Sequence, residues 1–213
     1  MTELFERISE EKRNRILQAA ISEFANCGYE KANTNIIAKK AGISVGSLFQ
    51  YFKNKEELFL ATIKYGATVL KVTLEDILQG EEDIIVKVEK VLRAIQKHSR
   101  ENADLIKLYN EIGTQSNYEL VQKTVEDIEL ITAKLYSSLI EKLQKEGEAR
   151  LDCDPKMFAF LLDNLFMMLQ FSYSCEYYRE RFKLYLSEDI LNQDDYVVEH
   201  TLKFIKAAFS LKK

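Results

Sequence analysis

Apolar residues recur at steps of three and four along most of the chain, while strand-like alternation is scarce, so the pattern predicts helices almost throughout. A first helix is expected over Glu10 to Cys27, with Ile16, Ala20, Phe24 and Cys27 on one face and Gly28 as its stop. Asn33 is placed to cap a short second helix to Lys40, whose inner positions are Ile37, Ala38 and Ala41. Gly42 makes the turn, and Ser44 caps a third short helix, Val45 to Phe52. Asn54 opens a long fourth helix with Glu56 and Glu57 in its first turn, where acids suit the helix dipole, and Gly80 ends it. Five more helices are expected over 83–101, 103–113, 117–147, 154–187 and 194–211. Gly147 reads as a stop, and Asp154-Pro155 as a cap followed by proline at the first helical position. An unbroken 154–187 helix would be about 50 Å long at the standard rise. Its Met157–Phe171 part is apolar around most of the circumference and needs cover on more than one side. In the last helix Val198, Leu202, Ile205 and Phe209 form a coiled-coil-like seam. Two such neighbouring helices suggest a homodimer joined by a four-helix bundle, with Met167, Val198, Leu202, Ile205 and Phe209 as interface candidates; the alternative is that they form the monomer core.

Composition agrees with a packed helical chain. Of 213 residues 46% are hydrophobic, which rules out disorder as the main state, and a single proline leaves long helices uninterrupted. Cys27, Cys153 and Cys175 lie far apart without metal-like spacing, as expected of reduced thiols. The opening MTELFERISEEKRNR has no apolar run, so no secretory leader is expected. The apolar stretch Met157–Tyr173 contains Asp163, Asn164 and Gln170 and falls short of a membrane span. A cytoplasmic protein with no membrane association is the expectation.

The net charge of −4 hides an asymmetry. Residues 12–55 hold eight Lys/Arg against Glu23 and Glu30, a local balance of +6, which leaves −10 for the remainder. A basic module on an acidic bulk is the distribution expected when one end meets phosphate. Within it, TNIIAKKAGISVGSLFQYFKNK has the mechanics of a helix-turn-helix over about residues 34–52. Ile37, Ala38, Ile43, Leu48 and Phe52 supply the wedge between the helices, while Val45, Gly46, Ser47, Phe49, Gln50 and Tyr51 are left to face outward or partly outward.

The longer string RILQAAISEFANCGYEKANTNIIAKKAGISVGSLFQYFKNKEELF resembles, without a gap, the N-terminal DNA-binding domain of TetR-family transcriptional regulators. The resemblance covers about residues 10–60 and implies an all-α fold. A three-helix DNA-binding domain at 10–60 would precede a helical effector-binding and dimerisation domain at 61–213. It implies a dimeric regulator, most simply a repressor, on a pseudo-palindromic double-stranded DNA operator, with a small-molecule effector and no further cofactor or metal. Carried over to this sequence, Thr34, Asn35, Ser44, Tyr51 and Lys55 are phosphate contacts, which set register without reading sequence. Val45, Ser47 and Gln50 are the base-reading candidates, Gln50 suited to adenine and Val45 to a thymine methyl, with Gly46 allowing close backbone approach. Phe49 is expected in the core, and Lys39 and Lys40 are open between a solvated face and a DNA role. The chain departs from the family pattern at Asn33, Ile36, Val45 and Phe49; Asn caps as well as the usual Ser or Thr.

For the effector side, Phe158, Leu161, Leu162, Leu165, Met168, Phe171 and Tyr173 would line an apolar cavity or the dimer seam, and for any one of them plain core packing is the favoured alternative. Tyr173, Tyr177 and Tyr178 with Glu176 and Arg179 would add polarity or equally form an interfacial face, and a greasy ligand is the expectation. An enzyme is disfavoured. His98 and His200 stand in separate helices without partners at metal or triad spacing, and no phosphate loop, HExxH, GxSxG or zinc pattern occurs. The acids at 81–83 and 194–195 sit at helix starts, where the dipole accounts for them. The rival reading is a helical protein-interaction module without DNA binding, supported only by Val45 and Phe49 standing where relatives carry a charge and a hydroxyl.

Overall fold

The structure, a computed structural model, describes residues 2–112 and 118–209, and among these the regular elements are all helical. In chain order they are α1 (Glu3–Arg7), α2 (Glu10–Lys31), α3 (Thr34–Lys40), α4 (Val45–Tyr51), α5 (Lys55–Leu78), α6 (Ile84–Glu101), α7 (Ala103–Ile112), α8 (Tyr118–Lys145), α9 (Pro155–Ser174), α10 (Glu176–Tyr185) and α11 (Asp194–Phe209). A 3-10 turn, Ile190–Asn192, precedes α11. The chain forms two compact units, Met1–Val69 with Asp104–Ile128, and Leu70–Ala103 with Glu129–Lys213.

In the first unit, Ser9 caps α2 by accepting from the Lys12 amide, and Glu10 and Glu11 occupy its first turn. Gly28 bends α2 at φ 71°, ψ 165°, a conformation nearly confined to glycine, so the helical turn at 29–31 points in a new direction. Phe24, fully buried, meets Phe59 edge-on at 5.1 Å, and Tyr29 beyond the bend meets the same ring at 5.1 Å. Helix α1, which the periodicity did not announce, buries Phe5 against Phe52 at 4.7 Å. Its Thr2 cap residue donates its amide to the Tyr51 carbonyl at 3.1 Å. Each ring so buried contributes about 1.5–3 kcal/mol.

The second unit packs α6 against α9 and α11. Ile84, Val88, Val91, Leu92 and Ile95 make the buried stripe of α6, opposite Leu162, Phe166 and Leu169 of α9 in one core. The buried Gln96 amide donates to the Tyr173 hydroxyl at 2.9 Å and to the Asp194 carbonyl at 3.1 Å, satisfying polar groups that the core would otherwise strand. Arg100 adds bonds to Asp194 and to the Leu191 carbonyl, both at 2.8 Å, tying α6 to the start of α11.

The single helix expected over 154–187 is two. Cys175 is extended (φ −105°, ψ 131°) and separates α9 from α10. Residues 171–175 are all buried, a run of five that one straight helix could not cover on every side. Ser, Tyr and Cys are weak helix formers there, and Ser174 spends its hydroxyl on the Ser99 carbonyl at 2.7 Å. The expected ends at 113, 117 and 211 lie outside the described residues.

Candidate nucleic-acid interface

The helix-turn-helix is held by its own caps. Asn33 Oδ1 accepts from the Asn35 amide at 2.9 Å and from the Asn35 side chain at 3.1 Å, which starts α3. At its far end Ala41 is buried, and Gly42 takes φ +66°, the left-handed value the turn requires. The Ile43 amide then reaches the Ala38 carbonyl at 3.0 Å. Ser44 Oγ accepts from the Ser47 amide at 3.0 Å and pairs with the Ser47 hydroxyl at 2.8 Å. Ile37, Ala38, Leu48 and Phe52 are buried, as the wedge requires, and Ile43 is half-buried.

On α4 the outward face carries Gly46, Phe49 and Gln50, all exposed, with Val45 and Ser47 half-buried beside them. Phe49 is therefore not a core residue as expected. At 43% exposed it shares a helix face with Val45, four residues earlier, and Gly46. A Cβ built at Gly46 would meet only Ser44 Oγ, at an ordinary 3.8 Å, so the fold itself does not require glycine there. Asn35 is exposed and Thr34 half-buried at the start of α3, and Lys39 is exposed at its end.

Two of the expected phosphate contacts are engaged within the chain itself. Tyr51 is buried, 5.8 Å from the Phe5 ring, and its hydroxyl accepts from Lys12 Nζ at 3.0 Å. Lys55 Nζ donates to the Glu30 carbonyl at 3.0 Å and lies 4.8 Å from the centre of the Tyr29 ring. Burial, and then the charges of Glu56 and Glu30, push the Tyr29 hydroxyl above its ordinary pKa. Charge counting included Lys12, Arg15 and Glu23 of α2 but assigned them no site role; they reach across to the helix-turn-helix. Arg15 Nε donates to the Ala41 carbonyl at 2.8 Å, and Lys40 Nζ donates to Glu23 Oε2 at 3.3 Å. The one available signal was that 12, 15 and 23 fall on one side of a 3.6-residue helix.

Residues 16–62 match the family described as bacterial regulatory proteins, tetR family. Over 143 residues the chain is 32% identical to the fatty acid metabolism regulator protein of Bacillus subtilis (strain 168), spanning 64% of this chain and 68% of that one. The chain belongs to the TetR family. It is a DNA-binding transcriptional regulator of that family. A second relative, the uncharacterized HTH-type transcriptional regulator YhgD of the same organism, is 28% identical over 169 residues, 78% of this chain and 86% of that protein. In fold the TetR-family chain is similar to the transcriptional regulator FadR from Bacillus subtilis, solved in complex with stearoyl-CoA. That match has a TM-score of 0.67 at 24% identity and covers 87% of this chain and 95% of that one.

In the second unit of this TetR-family regulator, the residues expected around an effector, at the dimer seam or in the core divide between core and surface. Leu162 and Tyr173 are buried in the core, Phe158 stacks edge-on to Phe209 at 4.9 Å, and Phe171 meets Tyr178 at 5.3 Å. Leu165 is half-buried against the core, Met167 and Met168 are half-buried, and Leu161 is exposed. A small cavity of about 30 Å³ lies elsewhere, lined by Leu70, Leu74, Val91, Ile95 and Tyr136 with Thr73, His98 and Gln170. Burial holds the His98 imidazole below its ordinary pKa, against a smaller opposing influence of Glu101. Val198, Ile205 and Phe209, expected on a dimer seam, are buried in this chain's own core, and Leu202 packs against it. The opposite side of α11 carries Tyr196, His200 and Phe204, all exposed. Among the described residues no group of three or more His, Cys, Asp or Glu could hold a metal ion. No helix among them is long and apolar enough to cross a membrane.

Proposed function

We propose that the chain is a repressor that binds a pseudo-palindromic operator as a homodimer and is released by a largely apolar effector. The observation that carries the DNA half is the outward face of α4, where Val45, Gly46, Phe49 and Gln50 stand exposed or half-exposed on a helix capped and wedged like a recognition helix. Gln50 reads a base edge, Val45 and Phe49 meet apolar groove edges such as a thymine methyl, and Gly46 lets the backbone come close. Thr34, Asn35, Ser44 and Ser47 flank that face, the first three as phosphate contacts and Ser47 at a base edge. Lys55 and Tyr51 take part as phosphate contacts only if DNA draws them from the Glu30 carbonyl and from Lys12. A dimer places two such helices roughly 34–36 Å apart, matching successive major grooves.

For the dimer, α9 exposes Met157, Phe160 and Leu161 at steps of three and one, and α11 exposes Tyr196 and Phe204. These stripes leave apolar surface that a second copy would bury. For the effector, the relatives that act in fatty acid metabolism and bind stearoyl-CoA favour a long-chain acyl ligand. The 30 Å³ cavity has room for about one water, so such a ligand binds a more open conformation of this unit. Release from DNA follows if that open conformation is incompatible with the operator-bound one.

Selection of bound duplexes from a random pool, with affinities remeasured at two salt concentrations, tests the operator reading. A recovered palindrome with steeply salt-dependent binding supports it, and a unique asymmetric site bound by one chain refutes it. Addition of long-chain acyl-CoA to the selected complex tests the effector class: dissociation supports it, and indifference at saturating ligand rejects it.

A further inference from the structure

One buried carboxylate in the first unit has no part in the contacts proposed above. Glu23 on α2 is only 4% exposed, yet it is not alone there. Its Oε1 accepts from the Asn33 amide at 3.3 Å and from the Cys27 thiol at 3.7 Å, and its Oε2 accepts from Lys40 Nζ at 3.3 Å. Asn33 is the cap that begins α3, and Lys40 is the last residue of that helix. One side chain therefore grips both ends of the first helix of the helix-turn-helix. The Arg15 bond to the Ala41 carbonyl at 2.8 Å fixes the following residue to the same α2. Helix α4 follows α3 after only four residues, and the Ile43 amide is bonded back to the Ala38 carbonyl of α3, so the angle at which α4 is presented depends on how α3 is held.

A charge this deeply buried is tolerated only when its partners are in place, because removing one leaves the other uncompensated. Lys40 is therefore committed inward, although its side chain is about half exposed. Lys39, exposed as Lys40 is, stands one residue earlier and about 100° around the helix from the side that meets Glu23. The two adjacent lysines, equivalent in any charge count, have different tasks.

We infer that Glu23 and Lys40 are positioning residues for DNA recognition: they set the pose of α3 and α4, and Lys40 acts through Glu23, not on a phosphate. This rests on the α4 contact scheme above and adds residues that never touch DNA. The two kinds of lysine are separable because each phosphate neutralised adds about 0.9 to the slope of log affinity against log salt, whereas a positioning residue adds nothing to it.

The test measures affinity for the selected operator duplex over a series of salt concentrations, for the full chain and for Lys40→Met, Lys40→Arg, Lys39→Met, Glu23→Gln and the two Met variants combined with Glu23→Gln. Glu23→Gln keeps an acceptor for the Asn33 amide and the shape of the site, and helical circular dichroism of every variant checks that it is folded. Lys40→Met is expected to weaken binding about tenfold at fixed salt with an unchanged slope, and to lose little more when combined with Glu23→Gln, because both break one interaction. Lys40→Arg restores the affinity. Lys39→Met is expected to lower the slope by about 0.9 and to add independently to Glu23→Gln. A Lys40→Met slope lowered as much as that of Lys39→Met, with effects additive to Glu23→Gln, overturns the proposal and makes Lys40 an ordinary phosphate contact. Wild-type affinity in Lys40→Met and in Glu23→Gln overturns it too. The unmodified chain is measured in the same series, so a failure of the α4 scheme shows as weak, sequence-indifferent binding by every protein, including the parent.

Discussion

Asp163 on α9 is a carboxyl in the wrong surroundings. Burial, and then the negative charge of Glu129 on α8, push its pKa from the ordinary 3.8 up to about 6, while a hydrogen bond with Thr132 opposes the shift. The neighbouring Tyr136 hydroxyl is pushed up in turn, by its own burial first and by Asp163 second. In the fold the carboxyl keeps its proton to about pH 6, whereas in the unfolded chain it loses it near 3.8. The native state thus binds more protons in that window, so this group's contribution to stability is complete below 3.8 and falls as pH rises through 6. Asp163→Asn removes the ionisation and keeps the shape. The pKa difference converts to an advantage of about 1–2 kcal/mol at about pH 5 and about 2–3 kcal/mol at about pH 7.5 over the parent chain, and to almost none below about pH 3.5. Urea unfolding followed by far-ultraviolet circular dichroism measures this at matched protein concentration, since any dimer makes stability concentration-dependent. A variant less stable than the parent at neutral pH, or a gap that does not change with pH, would refute the burial argument.

Further substitutions separate the remaining roles. Gly46→Ala is expected to raise thermal stability, by up to about 1 kcal/mol for an exposed helical position, while weakening operator binding, since no contact in the free chain opposes a methyl group there. Gln50→Ala should cost about 1–3 kcal/mol on the selected operator and little on an unrelated duplex, read by titration of both. Gly28→Ala meets no steric obstacle, its nearest neighbour being Glu111 Oε2 at 3.7 Å, yet φ +71° makes it destabilising by about 1–3 kcal/mol in a melting experiment. Phe204→Glu, at a position 63% exposed, should leave the monomer fold intact in circular dichroism. By sedimentation it should weaken self-association by at least about 2 kcal/mol, as loss of an interface anchor does.

Much of this molecule was written locally. The helix-turn-helix could be read from the sequence because its signals act over a few residues: an Asn or Ser side chain reaches an amide two or three positions on, and a glycine supplies one positive φ. The caps at Asn33, Ser44 and Asp154 and the turn at Gly42 are all present in the structure. Even the first helix's stop at Gly28 persists, as a bend. What local signals cannot give is which of two apolar faces turns inward. On α11, Val198, Ile205 and Phe209 repeat as well as Tyr196 and Phe204 do, and only packing against α6 and α9 placed the first set in the core. The same holds for Phe49, whose apolar character suggested burial while α4 turned it out, and for Tyr51, which α1 covers. The break at Cys175 came from five successive residues that each found a buried partner, a demand no single helix face meets. Charge counting put Lys39 and Lys40 together, and Glu23, seventeen positions before Lys40, told them apart. Periodicity determines that a face exists and caps determine where a helix begins, because both are set within a turn or two. Which face is used, and which charge is paired, depends on contacts between residues distant in sequence, and those exist only in the folded chain.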